Sequence, residues 1–381
     1  INVKDLFLNG PLHIKKVFMD IIWIFVVLSF LISIAGGFVI LPRILKFCMK
    51  RKLYDMPNAR KVHTFAIPRL GGVAFMPCML FAFFLSLLVY NRVTGRNHVG
   101  ISLWTCSFVI SLFLIYTVGF VDDVIGLGPK TKFAAQIVAA SLLPVSGLYI
   151  NSFYGFCGIY EIPFWIGAPL TVFVIVYVDN AMNLIDGIDG LSGGLALLSL
   201  AGFLVCFGRA EVWTYCVLIA GMMGVITAYL YFNIFGKADK GNKVFMGDSG
   251  SLTIGFILGF LAVKYSMDGV GNLPRHDDGL LLSYTLLIVP CFDVVRVVLS
   301  RLRARQPLFK ADKRHIHHKL LAFGLSQHKA LVVILLLQLF FVVINMSLFG
   351  VISLTILVFV DIVVYTVFNV LLTHGIEKRK K

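Results

Sequence analysis

Twenty-one consecutive uncharged residues, Ile21–Leu41, suffice to carry a helix across a bilayer, which needs about 20. Runs of this kind recur along the whole chain. They read as Leu70–Tyr90, Ile101–Phe120, Phe133–Ile150, Pro163–Val178, Leu191–Phe207, Trp213–Phe232, Ser251–Val263, Leu280–Leu299, Leu331–Phe349 and Val351–Leu372. The eighth is short, and only Gly350 separates the last two. The runs are continuous rather than alternating, which excludes a transmembrane barrel. Hydrophobic residues make up 59% of the chain and charged ones 14%, whereas soluble domains carry roughly half and a quarter. The sequence therefore predicts an all-α polytopic integral membrane protein with about 11 transmembrane helices. The first run is longer than a signal-peptide core and leads into a dense basic loop, so it reads as a retained span. Seven scattered cysteines with no CxxC pair indicate neither a disulfide framework nor a zinc site.

Eleven spans place the termini on opposite sides, and the basic residues choose the orientation. The loops after spans 1, 3, 5, 7 and 9, with the tail, carry 25 of the 34 lysines and arginines; the other side has eight, and Arg296 lies within a span. By the positive-inside rule the N-terminus is outside and the C-terminus cytoplasmic. The chain reads as a single transmembrane domain over residues 1–381. It has a polar lead (1–20), a cytoplasmic His/Arg-rich loop (300–329) and a basic cytoplasmic tail (373–381). The net charge of +15 is thus a topology signal, not a nucleic-acid footprint.

The polar motifs all fall on the predicted cytoplasmic side. DNAMNLIDGIDGLSGG (179–194) gathers Asp179, Asn180, Asn183, Asp186 and Asp189 within eleven residues, at the end of an apolar run. Four of these recur every third residue, so on a helix each lies beside the next. Their oxygens suit a hard cation or the donors of a polar ligand, against the plainer reading of a hydrated loop. GFVDDVIGLGPKTKF places Asp122 and Asp123 at a span's end, with Lys130 and Lys132 after a Gly-Pro turn. Adjacent helical residues point about 100° apart, so the two carboxylates have different tasks unless both are merely solvated. Gly247-Asp248-Ser249-Gly250 puts a carboxylate in a tight turn before a span, suited to magnesium or to a helix cap. RLRARQPLFKADKRHIHHKLLAFGLS gathers Lys310, Arg314, His315, His317, His318 and further cations. Such a segment neutralises diphosphate and offers proton transfer. Zinc would need a fourth ligand that is not evident there. Asp293 and Arg296, three apart inside a span, read as an ion pair.

Taken in order, FVDDVIGLGPKTK, NAMNLIDGIDGLSGG, KVFMGDSGSL, PCFDVVR and DKRHIHHKLLAFGLS closely resemble the polyprenyl-phosphate N-acetylhexosamine-1-phosphate transferase family, and PRLGGVAF (68–75) fits it too. The resemblance runs from about Arg43 to about Ser326. It implies transfer of a sugar phosphate from a UDP-sugar to a polyprenyl phosphate at the inner membrane's cytoplasmic face, with release of UMP. Magnesium is required, with manganese able to substitute, and a homodimer is suggested by analogy. HIHH with KLLAFGLS looks like the WecA/TagO branch, whose donor is UDP-N-acetylglucosamine. The MraY branch, whose donor is UDP-N-acetylmuramoyl-pentapeptide, has three consecutive histidines where Ile316 stands here.

By the resemblance, Asp248 and Asn183 become the magnesium ligands. Asp122 activates the acceptor phosphate, Asp123 supports it or the metal, and His315 joins the catalytic set. Asn180, Asp186 and Asp189 hold the uridine and ribose. Arg314, His315, His317 and His318 hold the diphosphate and sugar. From the residues themselves, Lys130 and Lys132 read as partners of the neighbouring carboxylates or of phosphate. An ion-coupled transporter would instead place its carboxylates near the midplane, and a scaffold would not need five separated motifs.

Overall fold

The computed structural model describes residues 12–55, 66–95, 102–269, 276–307 and 313–380; Lys310 of the predicted His/Arg-rich loop and residues 1–11 of the lead lie outside them. The described chain is nearly all helix. The helices are α1 (Leu12–Arg51), α2 (Phe75–Thr94), α3 (Leu103–Ile125), α4 (Pro129–Val145), α5 (Phe164–Ile185), α6 (Leu191–Arg209) and α7 (Trp213–Ile234). They continue with α8 (Gly247–Tyr265), α9 (Gly279–Thr285), α10 (Ile288–Arg303), α11 (Ile316–Ala322), α12 (Gln327–Leu348) and α13 (Leu354–Lys380). Two short antiparallel pairs complete it: β1 (Tyr54–Asp55) with β2 (Ile67–Pro68), and β3 (Ser152–Phe156) with β4 (Ile159–Glu161).

The protein is a multi-pass membrane protein. Among the described residues, eight helices are long and apolar enough to cross a bilayer, or nine if α9 and α10, bent by 68°, form one span. The sequence expectation of about eleven exceeds this for a physical reason. The fourth and eighth runs do fold as helices, α4 and α8, but α4 has only 17 residues and α8 opens on Gly-Asp-Ser-Gly-Ser and ends near Lys264. Helix α8 lies at the centre, packed between α3 and α5, and every residue from Ser249 to Tyr265 is buried. It contacts protein all round, so it needs less apolarity than a lipid-facing span. The outer helices instead turn side chains such as Phe81, Leu88, Phe113, Phe173 and Leu371 outward, as lipid requires.

The break between α9 and α10 shows how a chain interrupts a helix in apolar surroundings. Gln338 of α12 donates to the Thr285 carbonyl (2.8 Å) and accepts from the Val289 N–H (3.1 Å), replacing bonds the bend removes. Asn345 donates to the Thr285 hydroxyl (2.9 Å) and to Asp361 of α13 (2.8 Å).

Glycines let the central elements approach the site closely. The segment after β2 pairs with the loop before α8: Phe245 N–H donates to the Pro68 carbonyl (2.8 Å), Gly71 N–H to Phe245 (2.9 Å) and Gly72 N–H to Met246 (2.8 Å). A Cβ on Gly72 would fall 2.1 Å from the Gly250 backbone, and one on Gly119 of α3 would fall 2.7 Å from Ser249 Cα. Backbone cannot yield as a flexible side chain does. Gly72→Ala is therefore expected to lower unfolding stability in detergent by about 1–3 kcal/mol, the usual range for overpacking. Gly128→Ala, whose Cβ meets only the Thr131 hydroxyl at 4.0 Å, should stay within about 0.5 kcal/mol of wild type. Equal thermal shifts for the two variants would refute this packing account.

Candidate active site

The C-terminal ends of α3 and α5, the N-terminal end of α8 and the α11 segment meet around one cavity of about 410 Å³. Asp123, Asn183, Asp186, Asp189, Asp248 and His318 all line it. Four of the five motifs singled out in the sequence thus converge; PCFDVVR acts on the cavity through the HIHH segment.

Asp123 fixes the geometry. Its Oδ1 accepts from the Asp248 N–H and its Oδ2 from the Ser249 N–H, both at 2.8 Å. These are free donors at the start of α8, and a carboxylate there also meets the positive end of the helix dipole. The neighbouring Asp122 points elsewhere, as the 100° step requires. It accepts from the Leu127 N–H (2.5 Å) and pairs with Lys132 Nζ (2.9 Å). Lys132 reaches Asp248 Oδ1 as well (2.6 Å), so one ammonium joins two motifs 116 residues apart. Asn183 Nδ2 donates to that same Asp248 oxygen (2.5 Å) and to the Ser251 hydroxyl (2.8 Å). Asp248 is therefore the point at which α3, α4, α5 and α8 meet.

Other predicted residues take different places. Asp189 is ion-paired with Lys243 (2.6 Å) at the cavity wall. Asp186 keeps a face open to the cavity, yet burial raises its carboxyl to about 7, helped by the charges of Asp248, Asp189 and Asp123. Asn180 lies outside the cavity lining; it donates to Gln136 (2.9 Å), which in turn donates to the buried Asp179 (2.8 Å). Lys130 is exposed at the start of α4. Arg314 also lies outside the lining, donating to Ser300 (2.9 Å) and Gln306 (2.9 Å).

The HIHH segment is anchored by Asp293, which is 1% exposed. The expected pair with Arg296 is present (2.7 Å), but the same carboxylate also accepts from the Ile316 N–H (3.0 Å) and bonds His315 Nδ1 (2.8 Å). His315 is thus held from behind. His317 lies parallel to His315 and tilted against His318, and its ring abuts Gly187, where a Cβ would lie 2.1 Å from Nε2. Lys319 ties α11 to α13 through Thr373 (2.8 Å).

Residue typing missed Arg69, Lys243, Ser251, Tyr229 and Gln327 as cavity or site residues. Arg69 did carry a signal, a lone charge in the PRLGG stretch at the start of an apolar run. The others carried none, because single Lys, Ser, Tyr and Gln residues are common in loops and at helix ends alike.

The geometry defines a site rich in carboxylates at the ends of apolar, membrane-length helices, and comparisons with known proteins agree. Residues 104–266 match the model of glycosyl transferase family 4. The chain is 31% identical over 330 residues to a probable undecaprenyl-phosphate N-acetylglucosaminyl 1-phosphate transferase of Bacillus subtilis (strain 168), covering 83% of each chain. It is 30% identical to the undecaprenyl-phosphate alpha-N-acetylglucosaminyl 1-phosphate transferase of Escherichia coli (strain K12), over 76% of this chain and 75% of the relative. It is 32% identical to a decaprenyl-phosphate N-acetylglucosaminephosphotransferase of Mycobacterium tuberculosis (strain H37Rv), over 74% and 72%. The chain belongs to glycosyl transferase family 4, and it is a transferase.

The buried histidine generates a prediction. Burial, then the neighbouring His318 and His315, pull the His317 imidazole down to about 3 from an ordinary 6.5. With the folded-state value depressed, its contribution to stability is complete above pH 6.5 and falls away as pH drops from there toward 3. At pH 5 wild type should have lost about 2 kcal/mol through this group. His317→Gln should remove that part of the acid sensitivity, so thermal unfolding at pH 5 and 7.5 should differ less in the variant. An unchanged acid sensitivity would show that His317 is not held neutral.

Proposed function

We propose that this chain transfers N-acetylglucosamine 1-phosphate from UDP-N-acetylglucosamine to undecaprenyl phosphate, at the cytoplasmic face of a bacterial inner membrane. An oxygen of the lipid phosphate attacks the sugar-bearing phosphorus of the donor. The bond to the uridine-bearing phosphate breaks, UMP leaves, and a lipid-linked diphosphate forms. The carrying observation is the convergence of Asp123, Asn183, Asp186, Asp189, Asp248 and His318 on one cavity. The relatives' names support the substrates, and a lipid phosphate explains why the site lies at the end of membrane helices.

Magnesium fits this site. Four carboxylates line the cavity, and burial first, then the charges of Asp248, Asp189 and Asp123, raise the Asp186 carboxyl. Among the described residues no three His, Cys, Asp or Glu side chains form a metal cage. That suits an ion which keeps few protein ligands and takes phosphate oxygens for the rest. Asp248 and Asn183, which touch each other, would hold it. When bound, it supplies charge neutralisation for the diphosphate and the departing UMP.

The chain's own residues do the rest. Asp123 holds the α8 turn so that Asp248 faces the cavity. Lys132, lying between Asp122 and Asp248, offers its ammonium to an arriving phosphate. The phosphate competes with Asp122 for that ammonium and so releases the carboxylate as the acceptor's proton acceptor. Asp186 and Asp189 would take the nucleoside end and His318 the donor diphosphate and sugar; His318 lines the cavity on the segment that Asp293 anchors through His315.

Purified protein should release UMP from UDP-N-acetylglucosamine when undecaprenyl phosphate and magnesium are both present, and chelation should abolish this. Efficient turnover of UDP-N-acetylmuramoyl-pentapeptide instead would refute the donor assignment. The acceptor role of Asp122 has its own test. Asp122→Asn should reduce turnover by roughly 10²–10⁴-fold at neutral pH. The deficit should shrink as pH rises above the lipid phosphate's second pKa of about 6, because the acceptor then ionises unaided. A deficit constant with pH, together with weaker magnesium binding, would make Asp122 a metal-site residue.

A further inference from the structure

Arg69 is the one arginine or lysine among the described residues that line the cavity, against four carboxylates. A guanidinium so placed ordinarily pairs with one of them. Here no ion pair joins Arg69 to any carboxylate among the described residues, and its Nε is buried without a hydrogen-bond partner. Leaving a buried charged donor unpaired is costly, and the cost is tolerated where a ligand supplies the acceptor.

The backbone around Arg69 is fixed by the rest of the site. Pro68 accepts from Phe245, while Gly71 and Gly72 donate to Phe245 and Met246. The Arg69 carbonyl presses on Gly247, where a Cβ would fall 2.1 Å away. Arg69 is therefore held at fixed register against the Gly247 turn that carries Asp248, and it lines the same cavity as Asp248. Planar guanidinium matches phosphate oxygens two at a time.

We infer that Arg69 is a phosphate-positioning residue of this site, its guanidinium taking the phosphoryl oxygens of the donor diphosphate or of the acceptor lipid phosphate. The inference rests on the transferase reading above. It adds a cation fixed by the β2 segment, facing the same reaction as Lys132 from a different element.

Arg69→Gln and Arg69→Lys would be compared with wild type in steady-state turnover, with each substrate varied in turn. Binding of UDP and of undecaprenyl phosphate in EDTA would be measured separately. Arg69→Gln should raise KM for one substrate by about 10–100-fold, the range for losing a charged hydrogen bond, with a smaller change in kcat. The matching EDTA binding should weaken similarly. Arg69→Lys should recover part of the loss, since it keeps the charge but not the fork. A donor effect assigns the guanidinium to the diphosphate, and an acceptor effect assigns it to the lipid phosphate. Unchanged KM and binding for both ligands would overturn the inference. So would equal impairment of both variants together with a lowered melting temperature. Wild type that binds UDP but does not turn over UDP-N-acetylglucosamine would instead refute the donor assignment, with the binding arms still reporting on Arg69.

Discussion

Both oxygens of Asp123 are taken by the first free N–H groups of α8, and the site's arrangement depends on that contact. The central helix is buried from Ser249 to Tyr265, while Gly247 and Asp248 border the cavity. The unpaired N–H groups of its first turn need acceptors that water would supply at an exposed helix end. A carboxylate from α3 does this instead, and in doing so it fixes where Asp248 stands. The close approach that makes these bonds possible needs Gly119 and Gly72, because any side chain there would meet backbone. Packing and site geometry are the same set of contacts at this point.

Charge balance follows from that frame. Lys132 spans Asp122 and Asp248, and Lys243 holds Asp189, so two of the carboxylate clusters are partly neutralised by cations of the chain. Asp186 has no such ion pair among the described residues, and burial, with the charges of Asp248, Asp189 and Asp123, raises its carboxyl. A site of this kind attracts a divalent cation, yet needs cations of its own to receive phosphates.

The HIHH segment depends on a second buried carboxylate. Asp293 holds Arg296, His315 and the start of α11 together, and an apolar residue could serve none of these partners. Removing it would leave Arg296 and His315 unpaired inside the protein, the costly case for buried ions. The histidines reach the cavity through one another: His315 is anchored, His317 fills the space against Gly187, and His318 lines the wall.

The apolar runs alone determined the helical membrane class, because a bilayer leaves few ways to satisfy a backbone. Charged and amide residues at the ends of those runs identified Asp123, Asn183, Asp186, Asp189, Asp248 and His318 as candidates for one site. The family resemblance attached a chemistry to them. Residue type did not reveal that Asn180 turns to Gln136, that Arg314 turns to Ser300, or that Arg69 belongs to the cavity wall. Nor did it show that Asp123 caps a helix while Asp122 binds a lysine. Those choices depend on which helix ends pack together and how each is rotated. A one-residue step turns a helical side chain by about 100°. Periodicity therefore places a residue on a helix and near its end, whereas its partner is decided only when the helices pack.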